Sequence, residues 1–81
     1  PRLPRDLSGD DLVKKLKIYG YKATRQTGSH IRLTRTSETD EHHITIPRHK
    51  FLRVGTLNRI LSDVATELNE NKSDIISALF S

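Results

Sequence analysis

Residues 21–33, YKATRQTGSHIRL, decide the fold because they predict a β-hairpin around a single glycine. Apolar and polar side chains alternate on both sides of Gly28, as in strands that bury one face. We expect strands at Tyr21–Arg25 and His30–Arg35, joined by the three-residue loop Gln26-Thr27-Gly28. This register places four residues on the core face: Tyr21, Ala23, Ile31 and Leu33. It places four others on the opposite, open face: Lys22, Thr24, His30 and Arg32.

A different hairpin loop would not keep the apolar residues together. A two-residue loop at Thr27-Gly28 would set Tyr21 and Ala23 on the face opposite to Ile31 and Leu33, because side chains alternate along a strand. The three-residue loop also gives Gly28 the left-handed position that such loops need.

The rest of the chain predicts helices on one face of an antiparallel sheet. Ser8 is a good N-cap for a first helix that stops at Gly20, and a third strand covers His43–Pro47. A second helix starts near Gly55-Thr56, and Ser73 caps a short last helix. The expected fold is therefore α+β, with the element order α-β-β-β-α plus one extra short C-terminal helix.

Size and composition narrow the functional classes. The chain has 81 residues, which fits one domain (1–81) with a small core and no deep enclosed site. We expect residues 1–6 to form a flexible N-terminal arm. No cysteine is present, so thiolate zinc sites and disulfides are excluded. No apolar run approaches the ~18 residues of a membrane span and no signal-peptide pattern is seen, so we expect a cytoplasmic protein.

Charge is segregated along the chain. The net charge is +4, and no acidic residue lies between Asp11 and Glu38 or between Glu41 and Asp63. Such gaps can produce a one-sided positive surface suited to phosphate backbones or to an acidic protein partner. Lys14, Lys15 and Lys17 are better explained as a solvated helix face.

His30 is the leading candidate for chemistry. An imidazole can act as general base or general acid near neutral pH. Gly28 and Ser29 in the turn can orient a phosphate oxygen, and Arg32 flanks the same position. A surface histidine is usually inert, but the basic, acid-free surroundings favour a role for this one.

Other candidates are weaker. Arg48 and Lys50 precede the second helix and can grip a phosphate with its N-terminus. His43 is a possible accessory acid–base group, although an exposed strand histidine is the simpler explanation. A zinc site from His30, His43 and His49 has no recognisable ligand spacing. No carboxylate cluster accompanies the basic face, so we expect neither a metal nor another cofactor.

Several motifs together resemble the HicA toxins, the small mRNA interferases of HicA–HicB toxin–antitoxin pairs. The resemblance covers nearly the whole chain. The matching motifs are Leu7-Ser8-Gly9, Gly20-Tyr21, Arg25-Gln26-x-Gly28-Ser29-His30, Ile44-x-Ile46-Pro47-x-His49 and Val54-Gly55-Thr56-Leu57-x-x-Ile60-Leu61. The acidic loop 38–41 and the last helix, 73–80, vary in such proteins.

The resemblance implies a double-stranded-RNA-binding-domain-like fold and a metal-independent endoribonuclease that cleaves mRNA. His30 matches the histidine on which that activity depends, and Lys22 and Arg32 would stabilise phosphate charge. The implied partner is a HicB-type antitoxin that masks this histidine, so DNA would be contacted only through the antitoxin. A non-catalytic RNA-binding module is the alternative. A DNA-binding helix-turn-helix is disfavoured because the last helix is too apolar to read a groove.

Overall fold

The computed structural model describes residues 3–80 and shows an α+β fold with an open sheet of three antiparallel strands. The strand order is β1-β2-β3. The elements are α1 (Gly9–Lys15), a 3₁₀ turn (Leu16–Tyr19), β1 (Lys22–Thr27), β2 (His30–Thr36), β3 (Glu41–Pro47), α2 (Val54–Leu68) and α3 (Lys72–Phe80). The predicted layout, including the extra C-terminal helix, is confirmed.

One hydrophobic core lies between the sheet and the helices. The sheet contributes four buried side chains: Ile31, Leu33, Ile44 and Ile46. The first two helices contribute apolar stripes that include Leu12, Leu57, Leu61 and Val64, and α3 adds Ile75, Ile76 and Leu79. The opposite face of the sheet, which we call the open face, carries no helix among the described residues.

The first helix begins and ends as its sequence predicts. The Ser8 hydroxyl accepts a hydrogen bond from the Asp11 amide at 3.0 Å, so Ser8 is the N-cap. Gly20 ends the following 3₁₀ turn with a left-handed φ of 88°. Of the predicted N-terminal arm, residues 1–2 lie outside the described residues, and Leu3 packs against the core.

The hairpin loop differs from the prediction. Thr27 pairs with His30, so the loop is Gly28-Ser29, two residues long, rather than Gln26-Thr27-Gly28. Gly28 has a φ of 46° at the first loop position, the arrangement of a type II′ turn. Such turns match the twist of the strands, which explains why β1 continues to Thr27.

A β-bulge restores the predicted faces despite the shorter loop. The pairing runs from Arg25 opposite Arg32 to Ala23 opposite Leu33, with one extra residue, Thr24, on β1. The bulge returns Lys22 to the open face, opposite Thr34. The prediction that Ala23 joins the core is wrong: Ala23 lies on the core side but stays exposed, because β1 is an edge strand exposed along its whole length.

Three other boundaries differ from the sequence prediction. β3 begins at Glu41 rather than His43, and α2 begins at Val54 with Arg53 as N-cap. α3 begins at Lys72, so Ser73 lies inside the helix and is not its N-cap. The amides of Asp74 and Ile75 donate to the Asn71 carbonyl instead.

Candidate functional site

The open face is organised in three rows that cross the strands. Directly paired residues share a face, and rows two residues apart are separated by about 7 Å. The turn row contains Thr27, His30 and Pro47; the arginine row contains Arg25, Arg32 and Thr45; the lysine row contains Lys22, Thr34 and His43.

His30 stands at the first residue of β2, where the hairpin turn ends. Its side chain is exposed, and its Nδ1 lies 3.1 Å from the Ser29 hydroxyl. The Ser29 carbonyl accepts a hydrogen bond of 2.6 Å from the Arg48 amide. The turn is therefore tied to the end of β3, and the imidazole has a defined position although it faces solvent.

A shallow pocket of about 280 Å³ surrounds the imidazole. Its lining residues come from the turn and arginine rows: Arg25, Thr27, His30, Arg32 and Thr45. Two guanidinium groups and a titratable imidazole thus share one open depression, and none of these five side chains is a carboxylate. The arrangement can hold a phosphate and move a proton beside it.

Arg25 also lines this pocket, although the predicted hairpin register does not place it there. The predicted three-residue loop placed Thr24, not Arg25, on the open face. The signal was present in Gly28-Ser29, because Gly-Ser between two strand patterns is typical of a two-residue hairpin loop. That loop pairs Arg25 with Arg32. Like charges directly opposite each other destabilise a sheet, so this pair indicates a surface that binds an anion.

Lys22 and His43 lie on the predicted face but not beside His30. Both belong to the lysine row, four residues along the strands from the turn row, which corresponds to about 13 Å. His43 Nδ1 lies 2.8 Å from the Thr34 hydroxyl. The structure therefore does not bring Lys22 or His43 to the phosphate that His30 and Arg32 would share.

The two basic residues before α2 have partners of their own. Arg48 makes two hydrogen bonds to the Asp10 carboxylate, Nε to Oδ1 at 3.1 Å and Nη2 to Oδ2 at 3.3 Å. The Lys50 ammonium lies over the exposed Phe51 ring, 5.7 Å from its centroid. A phosphate at this position would compete with Asp10 for Arg48.

Neither a metal-type cluster nor a membrane helix is found in the part of the chain that the structure describes. Within residues 3–80, no three side chains of the His, Cys, Asp and Glu types lie together as metal ligands. The helices within the same range are too short or too polar to cross a bilayer.

Comparison with known proteins assigns the family. The family model described as the HicA toxin of bacterial toxin–antitoxin systems matches residues 9–65, more than half of the chain. This range contains the pocket and all three rows of the open face. Comparisons with curated proteins and with solved structures gave no match. On the strength of the family model, this chain belongs to the HicA toxin family and is the toxin of a toxin–antitoxin pair.

Proposed function

We propose that this toxin is an endoribonuclease that cleaves mRNA with His30 as general acid or base. The observation that carries the proposal is the pocket in which an exposed imidazole stands beside two guanidinium groups. Family membership supports a toxic activity. RNA is the substrate that suits this pocket, because its 2′-hydroxyl is an internal nucleophile and its phosphate is an anion.

In the proposed reaction the 2′-hydroxyl attacks the adjacent phosphorus, and the bond to the 5′-oxygen breaks to leave a cyclic phosphate. His30 removes the proton of the nucleophile or protonates the leaving oxygen, and water handles the other proton. Arg25 and Arg32 stabilise the charge on the phosphate oxygens. The Ser29 hydroxyl orients the imidazole, and the Gly28 turn holds both residues at the edge of the sheet. No metal is required by this scheme.

The partner in the proposal is a HicB-type antitoxin that covers His30. The pocket is shallow and open, so an inhibitor must be a surface that lies over it rather than a small molecule buried within it. Since the pocket is cationic, the covering surface should be acidic. Substituting Arg25 or Arg32 with glutamate is expected to weaken the complex, as measured by co-purification of the two proteins.

The test of the catalytic role is His30→Ala. Loss of general acid–base catalysis is expected to lower the rate of RNA cleavage by about 10²-fold or more and to abolish growth arrest. Chelating agents should not change the rate of the parent protein. Lys14→Ala, which removes an exposed charge from α1, is the matched control and should cleave normally.

Two results would contradict the proposal. Cleavage that survives His30→Ala would assign the activity to other residues. RNA binding without any cleavage products, even at high protein concentration, would favour the alternative of a non-catalytic RNA-binding module on the same face.

A further inference from the structure

We propose that the lysine row forms a second RNA subsite, which recognises the ribose of a nucleotide some 13 Å from the scissile bond. The proposal rests on the proposed ribonuclease function and specifies how the substrate strand crosses the open face. The distance is four residues along the strands, from His30 to Thr34, at about 3.3 Å per residue.

The centre of this subsite is a buried hydroxyl on a face that is otherwise exposed. Thr34 is only 7% exposed, and it is the one buried polar side chain among the described residues. Its hydroxyl lies 2.7 Å from that of Thr24 and 2.8 Å from His43 Nδ1. Three side chains from three strands are thus joined by hydrogen bonds across the sheet.

The hydrogen-bond chain engages Nδ1 of His43, so Nε2 is the ring nitrogen that faces a ligand. The Thr24 hydroxyl also lies 3.4 Å from the Arg32 carbonyl, which is longer than a typical O–H···O bond and does not set the direction of the two shorter bonds. Nε2 is an acceptor in one tautomer of His43 and a donor in the other.

An imidazole nitrogen at this position suits a ribose in either tautomer. The 2′-hydroxyl can donate or accept a hydrogen bond and is the group that distinguishes RNA from DNA. A deoxyribose lacks this hydroxyl and cannot make the hydrogen bond to His43 Nε2. The geometry therefore favours a ribonucleotide over a deoxyribonucleotide in the lysine row.

Lys22 and Glu41 give the subsite a direction. Both line a pocket of about 380 Å³ together with Gly20, Thr24, Thr34 and Thr36. Lys22 continues the line of cations that starts at Arg25 and Arg32, whereas Glu41 lies beyond it at the start of β3 and repels phosphate. The phosphates of the strand should therefore run from the turn row to Lys22 and leave the sheet before Glu41.

The spacing sets which nucleotide is recognised. A separation of about 13 Å corresponds to about four steps of the 3.4 Å rise of a stacked strand, and to fewer steps of an extended strand. The ribose that His43 contacts should accordingly lie two to four nucleotides from the cleaved bond, on one side only.

The first experiment measures cleavage of an oligothymidylate that carries one ribothymidine, which fixes the scissile bond. A second ribothymidine is then moved along the strand, and cleavage at the first one is followed separately by the length of its product, because each 2′-hydroxyl adds a cleavable bond. One position, two to four nucleotides away, should raise kcat/KM about threefold to tenfold, as expected for one hydrogen bond. His43→Ala should remove this increase, and Thr34→Val should reduce it while keeping the side-chain volume. The proposal would be wrong if the second ribothymidine raises kcat/KM at no position, or if His43→Ala shows the same increase as the parent protein.

The second experiment does not depend on cleavage. In a His30→Ala background, fluorescence anisotropy compares an all-ribose strand with an all-deoxyribose strand of the same sequence. His43→Ala should lower the preference for RNA about threefold to tenfold and leave DNA affinity unchanged. Lys22→Ala should weaken both strands, and Lys14→Ala neither. An unchanged RNA preference, or an equal loss for both strands in His43→Ala, would contradict the proposal.

The two experiments separate the subsite from the ribonuclease. If the parent protein cleaves no substrate, the proposed function fails, while the binding comparison still decides whether the lysine row reads a ribose.

Discussion

Arg25 and Arg32 are a like-charge pair whose placement the proposed function explains. They stand directly opposite each other in the hairpin, at positions where two threonines or an opposite-charge pair would stabilise the sheet. Both side chains line the pocket around His30. The local cost in stability makes sense if an anion lies between the two guanidinium groups.

Arg25→Thr should therefore change stability and activity in opposite directions. Relief of the repulsion is expected to raise the free energy of unfolding by about 0.2–1 kcal/mol. Loss of one charge-assisted phosphate contact should lower RNA cleavage about tenfold or more. Urea unfolding and a cleavage assay measure the two effects. A variant that is destabilised and fully active would show that Arg25 has a structural role instead.

The same residue shows what the sequence can and cannot predict about the site. The positions of His30 and Arg32 follow from simple alternation, because β2 is regular and pairs along its whole length with β3. The position of Arg25 on the open face depends on the length of the hairpin loop and on the bulge at Thr24. The alternation within one strand does not show where an extra residue is accommodated, because this depends on the pairing with the neighbouring strand.

At the scale of elements, the contact between α1 and β3 depends on the absence of a side chain. Gly9, the first residue of α1, donates its amide hydrogen to the His49 carbonyl at 3.0 Å. A Cβ atom at Gly9 would collide with the Pro47 carbonyl oxygen and lie 3.1 Å from Arg48 Cα. Pro47 pairs with His30, so this close contact also supports the end of the sheet that carries the pocket.

Gly9→Ala should destabilise the fold by about 1–3 kcal/mol, because backbone atoms must move to accept the methyl group. Thermal unfolding would register the loss. Gly55→Ala is the matched control: Gly55 also lies in the first turn of a helix, but a Cβ there meets nothing within 4 Å. That variant should be as stable as the parent or slightly more stable. Equal melting temperatures for both variants would refute the steric explanation.

The elements themselves were largely predictable, and their ends were less so. Ser8 and Gly20 mark α1 and its 3₁₀ extension because a cap and a left-handed glycine are local features. The sequence places the start of α3 wrongly because Ser73 resembles an N-cap, whereas the helix begins at Lys72 and the Asn71 carbonyl accepts hydrogen bonds from the amides of its first turn. Ala23 is exposed because β1 is an edge strand. The alternation of apolar residues does not show which strand lies at the edge of a sheet.

At the scale of the whole molecule, Tyr21 lies directly before β1 and packs into the hydrophobic core. The side chain is fully buried, and its hydroxyl lies 2.7 Å from His42 Nδ1. Burial raises the pKa of Tyr21 to about 12, and the charge of Glu67 adds to this effect while Arg35 opposes it. The folded state thus favours the neutral phenol, whereas the unfolded chain ionises near its ordinary value of 10.0.

Alkaline pH should consequently destabilise the parent protein through Tyr21. The stabilisation is fully present below pH 10 and is lost as the pH rises to about 12, since the unfolded state then releases a proton that the folded state retains. Tyr21→Phe should be less stable at neutral pH by about 1 kcal/mol, because it lacks the hydrogen bond. Urea unfolding at several pH values should show this difference shrinking between pH 10 and 12. If the difference in the free energy of unfolding between the two proteins stays constant over this pH range, ionisation of Tyr21 is not the cause of the alkaline destabilisation.

The bulge in β1 has a consequence for how this strand tolerates change. The bulge divides β1 into two segments whose side-chain alternation is shifted by one residue. Before Thr24 the odd-numbered residues, such as Ala23, face the helices, whereas after Thr24 the even-numbered residue Gln26 does so. The segment that anchors the hairpin to the core is therefore out of phase with the segment that carries Arg25. Deleting Thr24 would remove the bulge and leave a regularly alternating strand, with Lys22 and Arg25 still on the open face. Substitutions within either segment leave the other in place, so the segment that carries Arg25 can diversify while the anchoring segment stays the same.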